Sequence, residues 1–152
     1  MDLHEIFSDP VVMEHTEPAY DIEKTKHFLH SFCMGEERKE QTPGAFAAVH
    51  KQSGKLIGYV LFKDCDEPEI FEMGWIFNKD FWARGYAYEI CRGLIAHAFE
   101  NMGVHKICAH ATDEVKSVGL MEKLGMVEEG IKRKHTKNHD ETAWLDLEPI
   151  QQ

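Results

Sequence analysis

The sequence predicts an α+β domain built on a mixed, mostly antiparallel central sheet with one parallel βαβ crossover. Three observations predict it. Short apolar segments at 45–50, 55–62 and 70–77 follow one another across turns. A long amphipathic segment, 86–102, separates strand-like 70–77 from strand-like 107–111, the arrangement of a right-handed βαβ unit with parallel strands. Two further strand-like segments, 126–132 and 142–148, flank the polar turn KHTKNHDE, as an antiparallel hairpin does.

Taken in order, Leu3, Ile6 and Phe7 stand at helical spacing before Asp9-Pro10 stops the element. Residues 21–34 form a second helix with Ile22, Phe28, Leu29, Phe32 and Cys33 on one stripe, and the polar loop GEERKEQTPG follows. Segment 45–50 (AFAAVH) is a short apolar strand, Ser53-Gly54 a hairpin turn, and 55–62 (KLIGYVLF) is apolar on both alternating faces, as in a buried central strand. In 70–77 the alternation puts Phe71, Met73, Trp75 and Phe77 on a bulky core face and Glu72, Gly74 and Ile76 on the other. Helix 86–102 carries Ala87, Ile90, Cys91, Leu94, Ala98, Phe99 and Met102 on one stripe and closes at Gly103. A shorter helix, roughly 115–124, closes at Gly125.

Composition narrows the function classes. The chain has 152 residues, 43% of them hydrophobic, enough to build one core without disulfides or a structural metal. No repeat, linker or low-complexity tract divides it, so residues 1–152 read as one domain. Seventeen Lys and Arg against 27 Asp and Glu give a net charge of -10, which argues against nucleic acid and favours cationic partners. No apolar run is long enough to span a membrane and the opening MDLHEIFSDP is unlike a signal peptide, so a cytoplasmic protein is expected. Cys33, Cys65, Cys91 and Cys108 form no CxxC pair and read as reduced, structural thiols. His27 with His30, and His135 with His139, lack the cysteine or carboxylate partners of a metal site, so no metal is expected.

The chemistry points to the loop NKDFWARG and the helix start that follows it. A helix N-terminus offers free backbone N–H groups and the positive end of its dipole, and Gly85 with the small Ala87 lets a phosphate come close to that backbone. A tight turn at Gly85 is the plain alternative. The loop is neither a GxGxxG nor a P-loop.

The run GWIFNKDFWARGYAYEICRGLIAHAFENMGVHKI, with SVGLMEKLGM at its spacing downstream, resembles the GNAT superfamily of acyl-CoA-dependent N-acetyltransferases, and within it the ribosomal-protein N-acetyltransferase (RimJ/RimL-like) branch. The resemblance covers about residues 3 to 148. The family's phosphate motif, Gln/Arg-x-x-Gly-x-Gly/Ala, falls on Trp82-Ala83-Arg84-Gly85-Tyr86-Ala87, and Trp in first place is usual in this branch. Gly103, His105 and Lys106 resemble its Gly-Leu-His-Arg, and Glu122 to Met126 its Glu-Lys-Leu-Gly-Phe. The resemblance implies helices on both faces of the sheet and acetyl-CoA as co-substrate. Its pyrophosphate would rest on the amides of Arg84, Gly85, Tyr86 and Ala87, and its pantetheine arm would run beside the backbone of Trp75, Ile76 and Phe77. Gly74 would leave room for thioester and amine. Family members also begin with a strand beside segment 45–50, which is apparently missing here. AFAAVH then becomes an apolar sheet edge, covered either by homodimerisation or by the loop containing Pro18 and Tyr20.

Attack on a thioester needs a neutral amine, and a lysine ammonium with a pKa of about 10.4 gives up its proton far less readily than an α-amino group near 8. A base is most effective when its own pKa lies near the working pH. Glu72 lies in an apolar strand where desolvation should raise its pKa, and the resemblance places a carboxylate there, so it is the candidate general base. A glutamate on a wet strand face is the other reading. The leaving thiolate needs a proton or hydrogen bond. Many family members supply a Tyr after the fifth strand, but the four Tyr of this chain stand at 20, 59, 86 and 88. Ser117 occupies the branch's Ser position; it could donate to the sulfur or satisfy a backbone group in the first helical turn. Glu114 stands where the branch carries Asn, which exchanges two N–H donors for a charge against the pantetheine arm. His110, facing with Cys108 on strand 107–111, is a second candidate for proton transfer. The expected reaction is acetyl transfer to the primary amine of a small cationic molecule or a peptide N-terminus. A degenerate member that binds acyl-CoA without catalysis, and a pure interaction domain, are the rivals.

Overall fold

The computed structural model describes residues 1–34, 44–64, 69–111, 117–133 and 141–147. They pack as two compact units, Met1–Lys63 with Trp75–Ala87, and Asp64–Gly74 with Tyr88–Gln152. Every strand, and helices α3 and α4, begin and end within two residues of the segments read from the sequence.

The first unit holds α1 (Asp2–Phe7), α2 (Ile22–Phe28), a π-helical turn (Leu29–Cys33), β1 (Gly44–Val49), β2 (Leu56–Asp64), the end of β3 (Ile70–Phe77) and a 3-10 turn (Lys79–Phe81). β1 and β2 pair antiparallel around Gly54, whose φ of 69° gives the turn its left-handed residue. Leu3, Ile6 and Phe7, one face of α1, form a buried cluster with Met13 and Ile76. The Phe7 ring meets Tyr20 at 4.8 Å, Phe28 at 5.0 Å and Tyr59 at 5.8 Å between centroids. Carboxylates fasten the other side of α1. Asp2 accepts from the Leu56 N–H at 2.9 Å, Glu5 accepts from Lys55 Nζ at 2.6 Å and Asn78 Nδ2 at 3.0 Å, and Asp9 pairs with Lys79 at 2.7 Å. The hydrogen bonds from Lys55 and Asn78 hold the Glu5 carboxyl below the ordinary carboxylate range, and that from Lys79 does the same for Asp9.

Two expectations are corrected here. The segment 21–34 is not one regular α-helix: after α2, capped by Asp21 accepting from the Lys24 N–H at 2.7 Å, the chain turns π-helical and Met34 N–H donates to the Leu29 carbonyl. One inserted residue changes the ladder, and a 3.6-residue apolar period does not reveal it. The alternation of β3 also fails past Gly74. Ile76 is 9% exposed inside the α1 cluster while Trp75 is only half-buried, because α1 covers the face that the pattern left open.

Gly58 of β2 marks a close backbone approach within the first unit. An added Cβ would stand 2.5 Å from the Ile76 carbonyl oxygen and 2.8 Å from Cγ of Phe77. Asn78 N–H donates to the Ile57 carbonyl at 2.7 Å just beyond.

The second unit holds the start of β3, α3 (Tyr86–Asn101) from Tyr88 onward, β4 (Lys106–Ala111), α4 (Ser117–Lys123), β5 (Val127–Arg133) and β6 (Glu141–Leu147). β3 and β4 run parallel, with Glu72 opposite Cys108, and β4–β6 and β5–β6 are antiparallel. The parallel β3–α3–β4 crossover is therefore present, and β3 to β6 take the order β3-β4-β6-β5. Gly103 (φ 68°) and Gly125 (φ 85°) end α3 and α4 in the left-handed conformation, as read from their positions. Met73, Cys91, Ala98, Ile107, Cys108 and Met121 are buried. Cys91 and Cys108 are buried and not joined in a disulfide, and burial pushes the Cys91 thiol up to about 12, which leaves it inert. The Cys33 side chain and Cys65 lie outside the described residues.

Candidate active site

The loop between β3 and α3 is built entirely within the first unit. β3 ends at Phe77, and Asn78, 4% exposed, caps the 3-10 turn by accepting from the Asp80 N–H through Oδ1 at 3.0 Å. Trp82 donates its indole N–H to the Phe77 carbonyl at 2.9 Å, so the bulky residue at the head of the motif ties the loop back to the strand end. That bond occupies one acceptor of the Phe77 backbone. Ala83 (φ 57°) and Gly85 (φ 84°) are both left-handed, and Ala83, Arg84 and Gly85 are exposed. A non-glycine residue in this conformation costs roughly 1 kcal/mol or more and persists where the surroundings enforce it. A Cβ on Gly85 would meet nothing within 4 Å, so the space over the loop is open. The 16-residue helix α3 starts at Tyr86, leaving the N–H groups of its first turn without helical acceptors. The exposed backbone of Arg84 and Gly85 thus leads into the free N–H groups of the α3 start, the stretch that the sequence reading singled out.

Around Arg84 and Tyr86 lie two residues that the sequence did not single out, His50 and Phe81. The imidazole of His50, at the end of β1, stands against the rings of Phe81 (5.4 Å) and Tyr86 (5.5 Å). Phe81 and Tyr86 are themselves 6.1 Å apart, and the Arg84 guanidinium lies 5.6 Å over the Phe81 ring. His50 Nδ1 is 2.8 Å from Ser53 Oγ and Nε2 is 3.2 Å from Tyr86 Oη. The one available signal was position: His50 closes the strand and Ser53 opens the turn.

In the second unit Glu72 is half-buried, on the face of β3 opposite the buried Phe71 and Met73. His110 lies in β4 in register with Trp144, and Ser117 is the first residue of α4. Glu114 lies outside the described residues. Trp75, Ile76, Phe77, Arg84, Gly85, Tyr86 and Ala87 fall in one unit, and Glu72, His110 and Ser117 in the other. Among the described residues no group of His, Cys, Asp and Glu is arranged to hold a metal ion, and no helix is long and apolar enough to cross a membrane. His27 and His30 are exposed.

Comparison with known proteins bears on this geometry. A family model described as an acetyltransferase (GNAT) domain matches residues 1–127. The chain is 28% identical over 146 residues to YnaD of Bacillus subtilis, an uncharacterized N-acetyltransferase, covering 95% of this chain and 81% of that protein. A GNAT-family acetyltransferase structure from Bacillus anthracis superposes with a TM-score of 0.83 at 26% identity, covering 97% of this chain and 87% of that one. A spermidine N-acetyltransferase from Vibrio cholerae, solved with CoA and spermine, shares the fold with a TM-score of 0.77 at 19% identity, over 95% of this chain and 86% of that one.

Proposed function

The chain belongs to the GNAT acetyltransferase family, and from that premise we propose that it transfers the acetyl group of acetyl-CoA to a primary amine of a small cationic molecule or a peptide N-terminus. The observation that carries this is the exposed loop 83–85, with two left-handed residues leading into the first turn of α3. The pyrophosphate of acetyl-CoA sits on the backbone of Arg84, Gly85, Tyr86 and Ala87, and the pantetheine arm runs beside Trp75, Ile76 and Phe77, with Glu114 as a further cofactor-binding residue. Glu72 takes the proton of the amine, directly or through a water. The nitrogen lone pair then attacks the thioester carbon, and the C–S bond breaks as the tetrahedral intermediate collapses. The second proton released by the nitrogen passes to the CoA thiolate, which Ser117 steadies by a hydrogen bond or protonates as a relay, with His110 as the second candidate. The motif at 82–87 and the stretch 122–126 support the ribosomal-protein acetyltransferase branch. The net charge of -10 favours a cationic acceptor, of which the polyamine bound by the Vibrio cholerae structure is one chemical example. The whole chain acts as one such domain, in the cytoplasm.

A panel of polyamines, aminoglycosides and basic peptides, assayed for acetyl-CoA-dependent thiol release, tests the reading. Release with at least one amine supports it. Binding of acetyl-CoA with no release across the panel would make the chain an acyl-CoA sensor, and no thermal shift with acetyl-CoA would remove the CoA site altogether.

The loop makes a more specific demand. Gly85→Val is expected to weaken acetyl-CoA binding at least tenfold, because a β-branched residue is strained at φ 84° and its methyls fill the open space over the amides. Arg84→Ala, which removes an exposed and screened charge, should change binding by less than threefold. Isothermal titration of both variants compares them, and equal losses would mean that side chains rather than backbone hold the anion.

β1 ends the strand order of the described residues with Ala47 and Val49 exposed, and the π-helical turn packs against it. A homodimer formed across this edge is proposed, and sedimentation at micromolar concentration would show a monomer if it does not form.

A further inference from the structure

We propose that His50 is a positioning residue for acetyl-CoA binding, acting as a ring wedge that fixes both ends of the loop 82–85. The proposal rests on the reading that residues 84–87 hold the pyrophosphate. Phe81 enters the loop and Tyr86 leaves it, and between them stand two left-handed residues that can relax if the ends drift apart. The two rings are 6.1 Å apart, and the imidazole of His50 contacts each at about the same distance, 5.4 and 5.5 Å. His50 comes from another part of the chain, 36 residues before Tyr86, so it ties the loop to the β1–β2 hairpin rather than to its own flanks.

Polar contacts fix the orientation of the wedge. A neutral imidazole carries one N–H, so it donates to one of its two hydroxyl partners, Ser53 Oγ or Tyr86 Oη, and accepts from the other. Ser53 is held in turn, because its Oγ also accepts from the Lys55 N–H at 3.4 Å. Tyr86 is therefore held by ring packing and by a hydrogen bond, and its backbone amide is one of those proposed to meet the phosphate. None of this touches a reacting atom. Loss of the wedge should loosen the binding loop while leaving chemistry at saturating acetyl-CoA intact.

The test uses His50→Ala, His50→Phe and Gly85→Val in the full chain. It measures acetyl-CoA affinity by titration, kcat and KM with the best amine of the panel, and thermal unfolding without ligand. For His50→Ala the expected result is a roughly tenfold rise in Kd and KM for acetyl-CoA, the loss of two aromatic contacts, with kcat and amine KM within twofold of wild type. His50→Phe keeps the ring and loses the polar contacts, and is expected to recover most of that affinity. Unchanged acetyl-CoA affinity in His50→Ala overturns the proposal. So does a fall in kcat and thermal stability with no separate effect on acetyl-CoA KM, which marks a structural residue, and so does failure of His50→Phe to rescue. If His50→Ala is silent while Gly85→Val loses affinity, the binding loop stands and His50 has no part in it. If both are silent, or wild type binds no acetyl-CoA, the loop reading falls and the wedge with it.

Discussion

Glu72→Gln is expected to lower turnover at pH 7 by about 10² or more while leaving acetyl-CoA affinity unchanged. The substitution keeps shape and hydrogen-bonding reach and removes only the capacity to take a proton. The half-buried carboxylate lies on the β3 face opposite Phe71 and Met73, opposite Cys108 in the parallel ladder. Because the amine supplies its own neutral form as pH approaches its pKa, the deficit should narrow at alkaline pH. Full wild-type turnover at pH 7 would make Glu72 a strand residue without a chemical role and turn attention to water or His110.

Gly58→Ala is expected to produce the largest loss of stability, about 3 kcal/mol or more, read as a fall in the urea midpoint at unchanged slope. The new methyl has no free direction. It meets the rigid Ile76 carbonyl at 2.5 Å as well as the Phe77 ring, so β2 and the end of β3 must separate. Gly93→Ala in α3 is the control, since a Cβ there meets nothing within 4 Å and the exposed helical position favours alanine by roughly 0.5–1 kcal/mol. Equal behaviour of the two would show that the β2–β3 approach is looser than its distances.

These variants mark where sequence reasoning succeeds and where it stops. β3, α3 and their connecting loop were legible because each writes its structure into neighbouring residues: a two-residue alternation, a 3.6-residue stripe, a glycine at a helix start. The face of Ile76 was not legible, because the residues that cover it, Leu3, Ile6 and Phe7, stand at the other end of the first unit's sequence. Gly58 looked like any small residue in a buried strand, and its necessity appears only when Ile76 and Phe77 lie beside it. His50 passed as the last residue of a strand for the same reason. Its partners Phe81 and Tyr86 are brought to it by the sheet, and no local pattern announces a contact made across 36 positions. The loop's left-handed turn could be read from Gly85, whereas the side chains that hold the loop in shape could not.

The attachment of α1 carries a consequence for how this protein tolerates acid. Six residues cannot sustain a helix in water alone, so α1 persists through its seated apolar side chains and its ionised carboxylates. Glu5 and Asp9 have carboxyl groups held below their ordinary values, so their stabilising contribution, modest because solvent screens both pairs, is whole above a pH of about 5 and drains away as pH falls through the depressed values. Once Lys55, Asn78 and Lys79 lose those partly exposed partners, α1 is held more by its own buried side chains, with Ile6 and Phe7 now 0% and 2% exposed. Uncovered, they present an adhesive apolar patch beside aromatic rings. Acid exposure therefore adds a tendency of the polypeptide to clump, at a lower pH than the one at which the proposed base and the amine take up their protons.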